Sequence, residues 1–411
     1  MHQEGIVEKV YSVGRVLAIF GCALFACSVA IAQDVPVRVG LSGPFSGGSA
    51  PMGESMRNGV RLLIGDWNAY GGWLGRRIEL VERDDEASPE RGGAIAKELI
   101  EREKVIATIG IVNTGVGLTS IEHYQRAKVP LLIAVSTGSM LTRKYAPPAA
   151  PENYIFRVSP RIELECAFLV QELAKRNLSR IAILADATPY GEAGLNDLKK
   201  AMAEKGLKLV SVERYNIGDK DMHEQVTRAR AADAQVLVTY GIGPELAVIA
   251  KNRADMKWQV PLYGSWTLSM QNFIDSAGRD GVGALMPQTF IQQASNLRRN
   301  TFIVDYATTF GTNRIASPMS AAQGYDAALL LMAALNQAQD PDPKKIKDAL
   351  ENLAKPVRGG ITTYERPFRP DDHDSVTINM LVLGRVMDGR VGFAYEEDNR
   401  KSGLLDRRKL Q

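Results

Sequence analysis

Residues 129–142 read VPLLIAVSTGSMLT. An apolar run from Val129 to Val135 breaks off into Ser136, Thr137, Gly138 and Ser139. A run of this length, bounded by turn residues, reads as a strand buried on both faces, as in a parallel sheet. Open α/β sheets take their ligands beyond the carboxyl ends of such strands. The small residues there can offer backbone N–H groups and hydroxyls to an anion with no cation present. The same letters also suit a plain strand-to-helix turn with serine and threonine as caps.

Upstream, the pattern of the opening stretch recurs. Val37–Leu41, Arg77–Glu82 and Val105–Ile109 read as strands. Between them the spacing predicts helices over Met52–Tyr70, with Met56, Val60, Leu63 and Trp67 on one face, over Pro89–Lys104 behind Ser88, and over Gly117–Ala127. Beyond Pro147-Pro148 the alternation restarts with Tyr154–Val158, Arg180–Ala185, Leu207–Tyr215, Gln235–Thr239 and Pro261–Tyr263 as strands and helices between them. Two successive rounds of βαβ imply an α/β protein of two doubly wound lobes, each on a parallel sheet with right-handed crossovers. A third section, with helices near Asn296–Phe310, Ser317–Gln337 and Pro343–Leu353 and a hairpin turning at Asp388-Gly389, implies a chain that crosses back between lobes. A cleft between lobes is a favoured ligand site.

The chain has 411 residues, enough for two full cores, and its 45% hydrophobic and 24% charged composition is that of an ordinary globular protein. A net charge of +3 gives no electrostatic footprint for nucleic acid. Residues 1–32 read as a secretory signal cleaved near Ala32, with Lys9 and Arg15 ahead of an apolar Val16–Ile31. An uncleaved anchor is the alternative, but that run falls short of the ~20 residues of a comfortable span. Removing the signal leaves Cys166 as the single cysteine, so no internal disulfide is possible. With His123, His223 and His373 scattered, no metal-ligand spacing is present, and no cofactor is called for.

The common catalytic signatures are missing: there is no P-loop, HExxH, GxSxG or CxxC. Gly115-Val116-Gly117 and Gly241-Ile242-Gly243 lack the third glycine of a dinucleotide fingerprint and read as tight strand-to-helix turns. Asp84-Asp85-Glu86 reads as a solvated acidic turn. The strand ends carry more. Asn113 and Thr114 end the strand before the opening one, while Tyr190 follows a strand of the second lobe and Tyr240 and Trp266 end two others. Hydroxyl and aromatic groups at four strand ends, split between two lobes, could face one ligand.

In this order the motifs resemble the periplasmic binding proteins for leucine, isoleucine and valine, the receptors of ABC importers. The resemblance covers residues 35–390 and rests on VRVGLSGPFSGGSAPMGESMRNG, LGRRIELVERDDEASPERG, VPLLIAVSTGSMLT, RIAILADATPYGEAG, DMHEQVTRARAADAQVLVTYGIGPE and GSWTLSMQNFIDSAG. It implies two Rossmann-like lobes joined by a three-crossing hinge, with lobe one at 34–157 plus 289–373 and lobe two at 158–288 plus 374–411. It also implies a carboxylate seat at Asn113, Thr114, Ser136 and Thr137, with Tyr190 and Tyr240 opposite. The partners implied are a small-molecule ligand with a carboxylate and an inner-membrane ABC permease, the receptor acting as a monomer in the periplasm without catalysis.

Three departures from the family pattern stand out. Met52 occupies a position where the family has an aromatic side chain, Ala87 and Val112 lie near the places of its usual cysteines, and Trp266 stands where an acidic residue receives the ligand's ammonium. A buried ammonium without a carboxylate is costly by several kcal/mol. Either another acid such as Asp186 or Glu245 reaches in, or the ligand is an ammonium-free, hydrophobic or aromatic carboxylate instead of a branched-chain amino acid. A cytoplasmic ligand sensor of the amide-regulator type, or an enzyme, are the readings from other classes.

Overall fold

The computed structural model describes residues 35–402 and 406–410. The expected signal, residues 1–32, lies outside them. Two sheets organise the chain. The first holds five parallel strands, β1 (Val37–Gly43), β2 (Ile78–Asp84), β3 (Ala107–Gly110), β4 (Leu131–Ile133) and β5 (Ile155–Arg157), in the order β2-β1-β3-β4-β5. The opening stretch supplies β4, which is shorter than its apolar run. Ala134 N–H donates to Gly110 and Ser136 N–H to Ile111, so the strand's end is already turning toward the neighbouring loop.

Helices α1 (Ala50–Ala69), α2 (Pro89–Glu101) and α3 (Thr114–Ala127) connect β1 to β4, and a single turn, α4 (Met140–Arg143), follows β4. Local chemistry sets their ends. Ser88 caps α2 by accepting from Arg91 N–H, with Pro89 in the first turn, where its missing N–H costs nothing.

After β5 the chain makes its first crossing into α5 (Ile162–Lys175), then β6 (Arg180–Asp186), α6 (Pro189–Lys205), β7 (Lys208–Tyr215), α7 (His223–Ala231), β8 (Val236–Tyr240), α8 (Glu245–Asp255) and β9 (Leu262–Gly264). A 3₁₀ turn at Trp266–Ser269 and α9 (Gln271–Ala277) lead to β10 (Leu285–Gln288). These strands run parallel in the order β10-β9-β8-β6-β7. The inner strands are as apolar as a doubly covered sheet requires, β8 being buried along its whole length, while the edge strand β7 is only partly buried.

A second crossing carries the chain to α10 (Leu297–Phe310), α11 (Pro318–Ala338), α12 (Pro343–Glu351) and a small hairpin, β11 (Val357–Arg358) with β12 (Thr363–Tyr364). Helix α11 lies against α1, although the two are far apart in sequence. The approach is backbone to backbone: a Cβ on Gly59 would overlap the Ala321 carbonyl, and one on Gly324 would overlap that of Met56. A third crossing near Asp374 brings in β13 (Val382–Val386) and β14 (Val391–Phe393), antiparallel on the β10 edge, followed by α13 (Glu396–Ser402). The tail hairpin begins at Val382, after Ile378–Met380 form a 3₁₀ turn. Asp406 returns to accept from Thr363 N–H, and Lys409 pairs with Asp372.

The acidic turn is a correction. Asp84 is partly exposed, but Asp85 is fully buried, accepting from Ala87 N–H and facing Ser42. It closes the β2–α2 turn from inside.

Candidate ligand-binding cleft

The site assembles where the carboxyl ends of the two sheets face each other. On the first sheet, Ile111 adopts φ +63°, rare for a β-branched residue and a point of stored backbone strain. Its N–H donates to Ser42 and its carbonyl accepts from Ser136 N–H at 3.0 Å, which locks the ends of β1, β3 and β4 together. Two residues on, helix α3 begins with Asn113 at the N-cap but without a side-chain cap. Its first-turn amides are left for another acceptor.

The hydroxyl groups meet as the spacing predicts. Thr114 Oγ1 and Ser136 Oγ are 3.3 Å apart, and Asn113 donates through Nδ2 to Ser49 Oγ at 3.1 Å. The contribution of Ser136 differs from expectation, since its N–H is used within the fold. The free donors belong to Thr137. Its Oγ1 is buried with no partner, and among the described residues no backbone acceptor faces its N–H. Asn113 Oδ1 is unpartnered too. Beneath the turn, buried Arg157 donates to the Gly138 carbonyl at 2.6 Å, to Thr142 Oγ1 at 2.7 Å and to Asp374 Oδ1 at 2.7 Å. The guanidinium braces the turn from behind.

From the second sheet, Tyr190 stands in the first turn of α6 and Tyr240 at the end of β8, ring centroids 5.6 Å apart. Gly194 permits this: a Cβ there would overlap the Tyr240 ring. Burial raises both phenols well above their ordinary values, so they remain neutral donors. Tyr190 OH and Trp266 Nε1 are buried without partners. Met52, in the first turn of α1, is 1% exposed and shares one continuous buried cluster with Tyr190, Tyr240 and Trp266.

The two lobes touch over this region. Ser139 Oγ donates to Asp197 on α6 at 3.2 Å, and Arg143 pairs with Glu163 on α5 at 2.6 Å. Asn113 is half-buried and the other seven expected residues are buried.

Neither acid suggested from the sequence is free. Asp186 accepts from Thr188 N–H and Oγ1 and from Gly191 N–H through Oδ1, and from Ile242 N–H through Oδ2, so it caps α6 and ties down the turn after β8. Glu245 Oε1 holds Gly218 N–H at 2.7 Å, although its Oε2 is unpartnered. Sequence reasoning missed two buried polar residues. Gln323 on α11 has both amide atoms unpartnered. Glu165, in the first turn of α5, faces Tyr240 OH at 3.4 Å through Oε2 and leaves Oε1 without a partner. The signal for Glu165 was in the helix: it falls on the stripe Ile162, Glu165, Cys166, Leu169, Val170, Leu173, otherwise apolar and entirely buried.

A family model for periplasmic binding proteins matches residues 36–388. The chain belongs to that family. Among its relatives, Leu/Ile/Val-binding protein homolog 2 of Brucella abortus is 27% identical over 83% of this chain and 89% of the relative. A periplasmic binding protein type 1 from Bordetella pertussis is 25% identical, with a TM-score of 0.79 over 87% of this chain and 99% of that one. A solute-binding protein of an ABC transporter from Rhodopseudomonas palustris, solved with benzoate, shares the fold at 20% identity and a TM-score of 0.75, over 88% and 96% of the two chains. This periplasmic binding protein thus has the type I, two-lobed architecture, and the unpartnered atoms of Asn113, Thr137, Tyr190 and Trp266 stand at the strand ends of its two sheets.

Proposed function

We propose that the chain is the extracytoplasmic solute receptor of an ABC importer, capturing a small carboxylate between its lobes and presenting the closed form to an inner-membrane permease. The observation that carries this reading is the set of unpartnered polar atoms on facing lobes: Asn113 Oδ1, Thr137 Oγ1, Tyr190 OH and Trp266 Nε1. Buried polar groups are normally hydrogen-bonded, and these four stand at the carboxyl ends of facing sheets, where a bound carboxylate and its apolar part would meet them.

In this reading lobe one is 34–157 plus 289–373 and lobe two is 158–288 plus 374–411, and residues 1–32 are a signal removed near Ala32. The carboxylate sits on Thr137, Thr114 and Ser136 and the open first turn of α3, where the helix dipole favours an anion. Tyr190, Tyr240, Trp266 and Met52 enclose its apolar part. In this reading the ligand is bound and released with no bond broken. The ligand is a branched-chain or other hydrophobic amino acid, as the name of the Brucella relative favours, or a related aromatic carboxylate. The latter is favoured by Trp266 at the strand end and by a shared fold that holds benzoate in another receptor.

A thermal-shift screen of amino acids and aromatic acids tests the proposal. Ligand at about 100 times Kd adds about 2.7 kcal/mol of stability, a rise of several degrees. Silence across the whole panel, or turnover of a ligand that binds, would refute the receptor reading.

A further inference from the structure

Glu165 differs from every other buried carboxyl group among the described residues. Asp85, Asp186, Glu245 and Asp326 accept backbone N–H groups, while Glu351 and Asp374 pair with Lys347 and Arg157. The less deeply buried Glu172 and Glu213 pair with Arg176 and Arg228. Glu165 has neither. It is 0% exposed, its contact is the Tyr240 hydroxyl, and Oε1 faces no partner. Burial raises its carboxyl well above the ordinary range, with only Tyr240 and the more distant Arg157 pulling it down. Such a group stays protonated on its own, with an acceptor atom to spare, and ionises when a cation is brought to it.

Its position says which cation. Glu165 lies one turn into α5, whose first amide, Ile162 N–H, donates to the Thr137 carbonyl at 2.8 Å. The acid therefore stands beside the first-lobe turn that carries the carboxylate seat, and it meets the tyrosine pair of its own, second lobe. An α-amino acid carries its ammonium next to its carboxylate. A ligand seated on Thr137 would hold that ammonium at the Glu165 side of the cleft, while its side chain extends toward Trp266. We propose that Glu165 is the residue that receives the ligand's ammonium, so that this receptor selects α-amino acids with an acid supplied by α5 instead of by the loop that Trp266 now fills. The groups that face Glu165 are Tyr240 of β8, Cys166 of α5, Tyr190 of α6 and Arg157 of β5. Arg157 is engaged by Asp374, Thr142 and Gly138, which leaves Glu165 free for the ligand.

The inference rests on the receptor reading, and one calorimetric comparison separates the two. The wild-type protein and Glu165→Gln are titrated with the twenty protein amino acids and with their des-amino acids, leucine against 4-methylpentanoate being the model pair, and with benzoate. The expected result is that wild type prefers one amino acid to its des-amino partner by on the order of 100-fold, and that Glu165→Gln loses most of this preference. A thermal melt and circular dichroism spectrum matching wild type show that the variant folds. A preference that survives in Glu165→Gln overturns the role of Glu165. Wild type binding 4-methylpentanoate or benzoate but no amino acid also overturns it, and leaves the receptor reading standing. No binding of any carboxylate by wild type overturns both.

Discussion

Arg157 Nε donates to Asp374 Oδ1 at 2.7 Å, and the two residues, 217 positions apart, are both buried at the hinge. Arg157 ends β5 where the chain first leaves the first sheet, and Asp374 stands at the third crossing. Thr142 Oγ1 adds a third contact by donating to Asp374 at 3.0 Å. One ion pair thus joins two crossings and supports the Gly138 turn.

Removing one partner strands a buried charge. Asp374→Ala is expected to cost about 3–5 kcal/mol in urea unfolding, because the Arg157 guanidinium loses its counter-charge without returning to water. Replacing both residues with apolar ones of similar volume should recover much of that loss in stability but not the ligand affinity, since the Gly138 carbonyl then loses its brace.

Thr137→Val separates binding from folding. The hydroxyl has no partner among the described residues, so its removal should leave unfolding free energy within about 1 kcal/mol of wild type. Affinity for the carboxylate ligand should fall about 10- to 100-fold in calorimetry, because a hydrogen bond to a charged group is lost. Equal affinity in the two proteins would remove Thr137 from the seat.

The α1–α11 contact predicts opposite signs for two glycines. Gly324→Ala drives a methyl into the Met56 carbonyl and should destabilise by about 1–3 kcal/mol. Gly65→Ala lies on the exposed face of α1 with nothing near its Cβ, and should stabilise by about 0.5–1 kcal/mol through helix propensity alone. Thermal melts of the two variants decide the matter.

Asp85 sets a pH dependence. Burial raises its carboxyl from 3.8 to about 6. Between these values the folded protein binds more protons than the unfolded chain, so stability falls as pH rises from about 4 to 6 and is level above. The contribution is on the order of 1–3 kcal/mol. Asp85→Asn, which keeps an acceptor for Ala87 N–H, should flatten that part of the profile in urea titrations at pH 4.5 and 7. Asp326, raised by burial to about 6 as well, should retain its own slope in the variant.

The alternation of apolar runs with helical periodicity was enough to read two wound lobes, because burial on both faces of a parallel sheet leaves its mark in the inner strands. Strand-end hydroxyls and aromatics were legible for the same reason, since position in a parallel sheet fixes which residues reach its carboxyl edge. Local patterns could not say that Ser136 spends its N–H on Ile111, that Asp186 is consumed as a cap, or that Asp85 is buried. Each depends on a hydrogen bond to another segment.

Glu165 shows the division most clearly. The apolar stripe around it marked it as buried, but whether a buried acid is a structural partner or a free one depends on what tertiary packing brings within reach. VPLLIAVSTGSMLT carried its strand, its turn and its small polar residues in local order alone. Which donor of that turn remains free was decided by the folding of β3, β5 and α5 around it, because hydrogen-bond satisfaction is a property of neighbours in space and not of neighbours in the chain.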